Sequence, residues 1–279
     1  MANIMLFYKD ITPVNKIIHK KLKFSPPSDM SFAKDTHWVP LASSEYFQAA
    51  LDYPILFMSA QDEQKKRHYT SIALVGLSNN ENDYIVSDKS WKKNTYVPAF
   101  VRRYPFVFAQ ITSEKELSVC FDQQSGMFNE VTGTELFNSD GSISPFMEER
   151  IHFLESFKIA MEKTTEFIDT LVEMDLLSQK SINAKNDKGL SVQLEDFWIV
   201  DEEKLNKLSA HQLGKLHKNG FLGWVFAHLM SINNLFKILS LKGEKQIANN
   251  KEQPQMENNH SGDETPKEDE TPKEKETLN

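Results

Sequence analysis

Residues 145–172, PFMEERIHFLESFKIAMEKTTEFIDTLV, form the longest regular pattern in the sequence. Apolar residues recur every three or four positions, the spacing of one face of an α-helix. These apolar positions are Phe146, Met147, Ile151, Phe153, Leu154, Phe157, Ile159, Met161, Phe167, Ile168, Leu171 and Val172. Ser144 or Asp140 is placed to cap the helix, and Pro145 suits its first turn. The pattern predicts one long helix in the middle of the chain.

Upstream of this helix, short β-type runs alternate with polar turns. The runs are residues 38–41, 55–59, 70–77, 84–87, 107–112 and 117–121. Helices of 10–15 residues are missing between most of them, which favours an antiparallel sheet over a doubly wound parallel one. A short helix capped by Ser43 is predicted at 43–51, and residues 3–35, interrupted by prolines, are predicted to form an extended arm packed on the domain.

Downstream of the helix, the patterns are mixed. A loop is predicted at 183–189, strands at 192–194, 197–200 and 221–226, and a final helix at 231–241. Two further helices are predicted to begin at Asp201 and Ser209. The predicted fold class is therefore α+β, with a mainly antiparallel sheet in the N-terminal half, the long helix, and a mixed helix and strand C-terminal half.

The charge and apolar patterns divide the chain near residue 242. The 279-residue chain is 39% hydrophobic with a net charge of −8, and residues 244–279 carry −5 of it, so the remainder carries only −3. In the tail the sequence DETPKE occurs twice in succession, at 263–268 and 269–274. A segment with so few apolar residues cannot offset its ordering entropy. We predict a single globular domain at 1–242 and a disordered charged tail at 243–279.

Several classes of partner and compartment are disfavoured. The folded part lacks the basic surplus of a nucleic-acid-binding protein, so no nucleic acid is expected as a partner. No transmembrane segment and no secretory signal are visible, which predicts a soluble, cytoplasmic protein, with the cell surface reached by a non-Sec route as the alternative. Cys120 is the single cysteine and lies in an apolar stretch, where a buried structural role is predicted over a reactive one.

No motif dictates a reaction. The sequence has no glycine-rich phosphate loop, no nucleophile elbow and no histidine pair at metal-ligand spacing. We therefore predict no catalytic residue, no metal site and no cofactor.

The segment from 96 to 106, YVPAFVRRYPF, places Arg102 and Arg103 side by side among apolar residues, followed by Tyr104. One interpretation is an anion site for a carboxylate or phosphate. The other, which we favour, is that one arginine pairs with a core carboxylate, Asp122 or Asp140, while the other covers an aromatic ring.

Two more side chains are singled out in the same way. His228 lies among apolar residues, where a hydrogen-bonded core histidine is favoured over a catalytic one. Trp91 is predicted to anchor a loop to the core, with a place in a ligand pocket as the alternative. The complete set of candidate ligand-binding residues is Arg102, Arg103, Tyr104, Trp91, Asp140 and His228.

The order of several motifs resembles that of the SapC-like bacterial protein family over about residues 5–241. The matching motifs are Val39-Pro40-Leu41, Tyr53-Pro54-Ile55-Leu56-Phe57, Leu74-Val75-Gly76-Leu77, YVPAFVRRYPF at 96–106, Gly220-Phe221-Leu222 and His228-Leu229-Met230-Ser231-Ile232. The resemblance implies no reaction and no catalytic set. It implies an association with a bacterial surface layer, from which the family takes its name, and with genes for cupin-like proteins, tryptophan-halogenase-like proteins and outer-membrane receptors.

The leading hypothesis is a non-enzymatic binding or accessory protein, associated with bacterial envelope, surface-layer or nutrient-uptake systems. The alternative is a small-molecule enzyme or ligand sensor with an anion site at Arg102 or Arg103, and a third hypothesis is a structural surface-layer component. The expected partner is an unknown protein or a small anionic ligand.

Overall fold

The computed structural model describes residues 5–111, 117–185 and 191–252. Its strands form antiparallel pairs in three sheets, ordered β1-β7-β6, β10-β11-β4-β5-β3 and β8-β2-β9. The strands are β1 (Ile11–Pro13), β2 (Lys23–Phe24), β3 (Trp38–Pro40), β4 (Ile55–Gln61), β5 (Arg67–Leu74), β6 (Phe106–Gln110), β7 (Leu117–Asp122), β8 (Phe128–Asn129), β9 (Thr134–Glu135), β10 (Leu177–Lys185) and β11 (Ser191–Val200).

Apart from two short ones, the α-helices lie in the second half of the chain. They are α1 (Tyr46–Ala49), α2 (Ala99–Arg102), α3 (Pro145–Glu173), α4 (Glu202–Asn206), α5 (Ala210–Lys218), α6 (Phe221–Ser231) and α7 (Asn234–Glu252). Strands β10 and β11 lie between α3 and α4. Ser144 caps α3, because its hydroxyl accepts a hydrogen bond from the Met147 N–H at 3.3 Å, and Pro145 occupies the first helical position. The predicted α+β fold and its long helix are confirmed, and the cap is Ser144 rather than Asp140.

Helix α3 unites two apolar clusters. Near its start, Met147 and Leu154 pack with Phe106 and Phe121 of β6 and β7. Farther along, Phe167 and its neighbours pack in the main cluster beneath the five-stranded sheet. A helix of 29 residues extends for about 43 Å at 1.5 Å per residue, which lets one element cross both clusters.

The predicted strand at 221–226 is wrong, because these residues open α6. Gly220, with φ +77°, ends α5 in the left-handed conformation and redirects the chain. The buried positions Phe221, Val225 and His228 then follow helical spacing. A run that is apolar at nearly every position does not reveal its period, so packing decided its secondary structure.

Three other local predictions need correction. Residues 84–87 form no strand, only an isolated bridge between Ile85 and Trp91. The separate strands predicted at 192–194 and 197–200 are one strand, β11, in which Asp196 has φ +59°. The left-handed residue interrupts the alternation of the sequence pattern. Residues 183–185 of the predicted loop are the last three residues of strand β10.

Helix α7 continues beyond the predicted domain edge at residue 242 and is described as far as Glu252. Glu244, Lys245 and Gln246 are good helix formers, so nothing local stops the helix at Gly243. The rest of the predicted disordered tail, 253–279, lies outside the described residues.

Two features bear on compartment and reactivity. No helix among the described residues has the length and apolar character needed to cross a membrane. Cys120 is fully buried, as predicted, and burial raises the pKa of its thiol.

Candidate functional site

The arginine-rich segment at 96–106 forms a buried junction between the start of the chain, α1 and α3. Pro98 precedes α2, whose Phe100 and Val101 are buried, and a cis peptide bond joins Tyr104 to Pro105. The short helix turns Arg102 and Arg103 in different directions, because successive helical residues point about 100° apart.

Arg103 points inward. Its guanidinium carbon lies 4.0 Å from the ring centroid of Phe100 and 5.3 Å from that of Phe157. It also hydrogen-bonds to Tyr8, whose hydroxyl donates to the Phe106 carbonyl at 2.8 Å. Burial lowers the pKa of Arg103 and raises that of Tyr8 to about 12. Arg103 thus covers aromatic rings, as one of the two interpretations predicted.

Asp122 is fully buried and holds the N-terminal segment. Its oxygens accept hydrogen bonds from the Tyr104 hydroxyl at 2.9 Å and from the backbone N–H groups of Lys9, Asp10 and Gln124 at 3.0–3.1 Å. Burial, followed by the contact with Asp122, raises the pKa of Tyr104. Tyr104 is therefore a structural anchor between this carboxylate and the core.

Arg102 points outward and begins a chain of hydrogen bonds that leads into the core. Its Nη2 donates to the Tyr96 hydroxyl at 3.0 Å, and that hydroxyl donates to Glu45 Oε1 at 2.7 Å. The same Glu45 oxygen accepts from the Ala99 N–H at 2.7 Å. Burial raises the pKa of Glu45. Of the two arginines, Arg102 is the one exposed to solvent.

Trp91 joins this junction through Tyr53. Its indole N–H donates to the Tyr53 hydroxyl at 2.9 Å, and that hydroxyl donates to the Tyr96 carbonyl. The Trp91 ring also stacks on Tyr84 with an interplanar angle of 22°. These contacts match a tryptophan that anchors a loop to the core.

His228 lies apart from the junction, in the core between α6 and the large sheet. Its Nε2 accepts a hydrogen bond from the Val200 N–H at 3.0 Å, so the ring proton is assigned to Nδ1. Burial lowers the pKa of His228 to about 4, which keeps the ring neutral at pH 7. A neutral imidazole that accepts a backbone hydrogen bond is a structural arrangement.

Asp140 is also separate. It lies in the exposed turn before α3, where its carboxylate accepts from the Ser142 N–H at 2.8 Å and the Ser142 hydroxyl at 2.6 Å. These two hydrogen bonds lower the pKa of Asp140. Four of the six candidate residues therefore meet at the junction, and His228 and Asp140 do not.

Sequence reasoning missed four members of the junction: Tyr8, Glu45, Tyr53 and Tyr96. In the sequence, Glu45 follows the predicted cap at Ser43, a position where an acidic residue is ordinary in the first turn of a helix. Only the tertiary fold brings Tyr96 and the Ala99 N–H onto its carboxylate.

An exposed apolar feature of the described residues lies elsewhere, on α6, on α1 and just after α1. The α1–α6 surface consists of Phe47, Leu51, Phe226 and Met230, whose exposed fractions are 62%, 70%, 52% and 66%. A Cβ atom built on Gly223 would lie 3.1 Å from the Phe47 ring, so the absence of a side chain there lets this ring rest on α6. Positions 223, 226 and 230 share one helix face, which makes the surface continuous.

A shallow groove of about 440 Å³ adjoins this surface. It is lined by Ser43, Ser44, Ser156, Ile159, Ala160, Lys163 and Trp224. The groove is mainly apolar, and Lys163 supplies a cation at its edge. Among the described residues, no group of three or more His, Cys, Asp or Glu side chains is placed to hold a metal ion.

Comparison with known proteins gives one match. A family model described as SapC matches residues 14–238, which is most of the chain and includes the arginine-rich segment at 96–106 and the α1–α6 surface. No curated protein and no solved structure matches the chain.

Proposed function

The chain belongs to the SapC family, and we propose that it is a non-enzymatic accessory protein that binds a protein partner through the α1–α6 surface, in association with bacterial envelope or nutrient-uptake systems. The observation that carries this proposal is the exposure of four large apolar side chains, two on α6, one on α1 and one just after α1. Single exposed apolar residues are ordinary, whereas a contiguous patch is typical of a binding surface.

The α1–α6 surface is held rigidly by polar contacts beneath it. The Ser231 hydroxyl accepts from the Ile55 N–H at 2.9 Å, which fixes the end of α6 to β4. The Asn234 side chain donates to the carbonyls of Ala50 and Tyr53, which fixes the end of α1 to α7. A surface ordered before binding loses little conformational entropy on association, so these contacts favour a specific partner.

The candidate residues of the junction support a structural role. Arg103, Tyr104 and Trp91 make internal contacts that join the start of the chain to α1, α2 and the core. The carboxylates that meet this segment accept hydrogen bonds within it, Asp122 from Tyr104 and Glu45 from Tyr96 and the Ala99 N–H. We therefore assign the arginine-rich segment to stability of the fold and binding to the α1–α6 surface.

Site-specific photo-crosslinking in the native host tests the partner surface. We expect a benzoylphenylalanine at position 226 to give one discrete adduct larger than the chain, and the same probe at Val131, which is 81% exposed, to give none. Met230→Asp should abolish the adduct without changing the melting temperature. Equal adducts from both positions, no adduct, or an adduct containing only a second copy of this chain would contradict the proposal.

A second candidate function rests on Arg102. Its exposed guanidinium, supported by Tyr96 and by the Phe153 ring 5.3 Å away, is placed to bind a small carboxylate or phosphate. Calorimetric titration with succinate and with inorganic phosphate tests this. Binding by the native protein that is lost in Arg102→Gln and retained in the exposed control Lys158→Gln would support an anion sensor, and no binding by the native protein would exclude it for both ligands.

We propose a cytoplasmic location, with the cell surface as the alternative. Fractionation of the native host with an antibody against the protein distinguishes the two. Recovery of most of the protein in the periplasm or on intact cells would overturn the cytoplasmic proposal and leave the partner surface to be tested in that compartment.

A further inference from the structure

Between β1 and β2 the chain forms an exposed turn, here called the basic loop, residues 16–21, with the sequence KIIHKK. Ile17 and Ile18 at its tip are 80% and 74% exposed. Lys16, Lys20 and Lys21 are exposed on either side of them. Two adjacent branched apolar side chains therefore project into water among three cations.

Hydrogen bonds at the base of the basic loop hold this arrangement. The Asn15 side-chain oxygen accepts from the Ile17 N–H at 2.8 Å and the Ile18 N–H at 3.1 Å. The Asn15 N–H donates to His19 Nδ1 at 3.1 Å, and the His19 ring packs edge-on against Phe121 with centroids 5.1 Å apart. The fold thus anchors His19 inward and directs the two isoleucines outward.

The flanks of the basic loop are anchored in the same way. Val14 and Leu22 pack against the cluster formed by β6, β7 and the start of α3. Because the residues on both sides of the turn pack against the core, the turn is held in place with Ile17 and Ile18 exposed.

The positive charge of the basic loop is local. Its three lysines lie close together, although residues 1–243 as a whole carry a net charge of −3. Two acidic groups lie near the basic loop: Asp140, which lies in the field of Lys20, and Glu135, which pairs with Lys23 at 3.4 Å. No acidic residue lies within the loop itself. Such a charge distribution orients the loop toward a negatively charged surface.

We propose that the basic loop docks the protein onto an anionic phospholipid bilayer, with Ile17 and Ile18 inserted among the headgroups and the lysines facing lipid phosphates. A nucleic acid or an acidic protein surface would engage the lysines and leave both isoleucines in water. A bilayer surface accepts both parts, because apolar insertion and attraction to anionic lipid act together in interfacial binding. The inference does not depend on the α1–α6 surface.

Co-sedimentation of the full-length chain with vesicles tests the proposal. We expect binding to vesicles of 70% phosphatidylcholine and 30% phosphatidylglycerol, weakened at 0.5 M NaCl, and little binding to pure phosphatidylcholine. Replacing both isoleucines, Ile17→Ser with Ile18→Ser, should lower the partition constant at least about tenfold, because apolar area no longer leaves water. Lys20→Gln and Lys21→Gln should each lower it about fivefold.

Two controls separate the loop from general effects. Val131→Ser removes an equally exposed branched side chain elsewhere and should leave vesicle binding unchanged. Met230→Asp on the α1–α6 surface should also leave it unchanged, which keeps this test independent of the proposed partner. Ile17→Trp should show a blue shift of its emission on adding the anionic vesicles. No binding by the native chain, equal binding to pure phosphatidylcholine, or full binding by the double isoleucine variant would overturn the proposal.

Discussion

His228 and Asp83 are buried ionisable side chains whose charges oppose folding over different pH ranges. Burial lowers the pKa of His228 to about 4 and raises that of Asp83 to about 6. In both cases burial disfavours the charged form. His228 therefore lowers the stability of the fold in acid, because the same histidine binds a proton in the unfolded chain but stays neutral in the folded one. Asp83 lowers the stability at neutral pH, because its carboxyl ionises readily in the unfolded chain but ionises in the folded chain only at the cost of a buried charge.

For His228, stability should fall as the pH drops from about 6.5 to about 4. The folded pKa lies below the unfolded value, so the unfolded chain binds the extra proton in this range, and the difference amounts to about 3 kcal/mol. His228→Gln should remove this contribution to the pH dependence. The substitution should also lower the free energy of unfolding at pH 7 by about 1–3 kcal/mol, because the buried Val200 N–H loses the well-placed acceptor that His228 Nε2 provides. Urea unfolding at pH 7 and pH 5 measures both, and identical pH dependence in the variant and native chain would contradict the assignment.

For Asp83, the sign is reversed. Its folded pKa lies above the unfolded value, so its contribution is most favourable below about pH 4 and is lost as the pH rises through about 6. Asp83→Asn should therefore stabilise the protein at pH 7.5 by about 1–3 kcal/mol, and the gain should vanish near pH 4. The amide can still accept the hydrogen bond from the Leu77 N–H at 3.1 Å. An unchanged or lower stability at pH 7.5 would show that the carboxylate has a partner that outweighs its burial.

Helix α7 is attached to the rest of the protein by polar contacts that continue past residue 242. Lys242, only 7% exposed, contacts Ser78 and pairs with Glu81 at 3.2 Å, and Lys245 pairs with Glu81 at 3.5 Å and donates to the Asn82 carbonyl at 2.9 Å. These contacts attach the helix to the loop after β5 on both sides of Gly243. The folded part of the chain thus includes residues that lack an apolar pattern.

Truncation tests this boundary. A chain ending at Glu252 should melt at the same temperature as the full chain. A chain ending at Gly243 loses the Lys245 contacts, which are partly exposed and worth about 1 kcal/mol, so its melting temperature should fall by about 2–4 °C. Thermal unfolding followed by circular dichroism measures the difference. Equal melting temperatures for both truncated chains would place the edge near residue 242, as the sequence pattern predicts.

For the molecule as a whole, α3 is the element that couples the two apolar clusters. Its first half packs in the β6–β7 cluster and its second half beneath the large sheet. All four tryptophans belong to the main cluster or pack against it. Tryptophan fluorescence therefore reports the main cluster alone, whereas circular dichroism reports the helix that joins both.

Leu154→Ala tests this coupling, because Leu154 is 3% exposed and lies in the cluster without tryptophan. The substitution should lower the free energy of unfolding by about 2–5 kcal/mol. If α3 couples the clusters, the urea midpoint measured by tryptophan fluorescence should fall together with the midpoint measured by circular dichroism. A fluorescence midpoint that stays at the native value would show that the two clusters unfold independently.

Patterns with a clear local period were sufficient for much of the fold. The long helix, its first proline and strands β4, β5, β6 and β7 follow from helical spacing and from short apolar runs bounded by turn residues. The capped start of the helix at Ser209 and the buried Cys120 follow from equally local signals. These features depend on residues within one or two turns of one another, so the sequence by itself determined them.

Tertiary structure decided what depends on distant residues. The apolar run at 221–226 became a helix because Gly220 redirects the chain and packing selects the face that carries His228. Glu45 entered the junction because Tyr96 and Ala99 supply donors from more than fifty residues away. Arg102 and Arg103 diverged, one to solvent and one onto aromatic rings, because α2 turns them apart. Burial and hydrogen-bond partners are set by the packed chain, and no local pattern contains them.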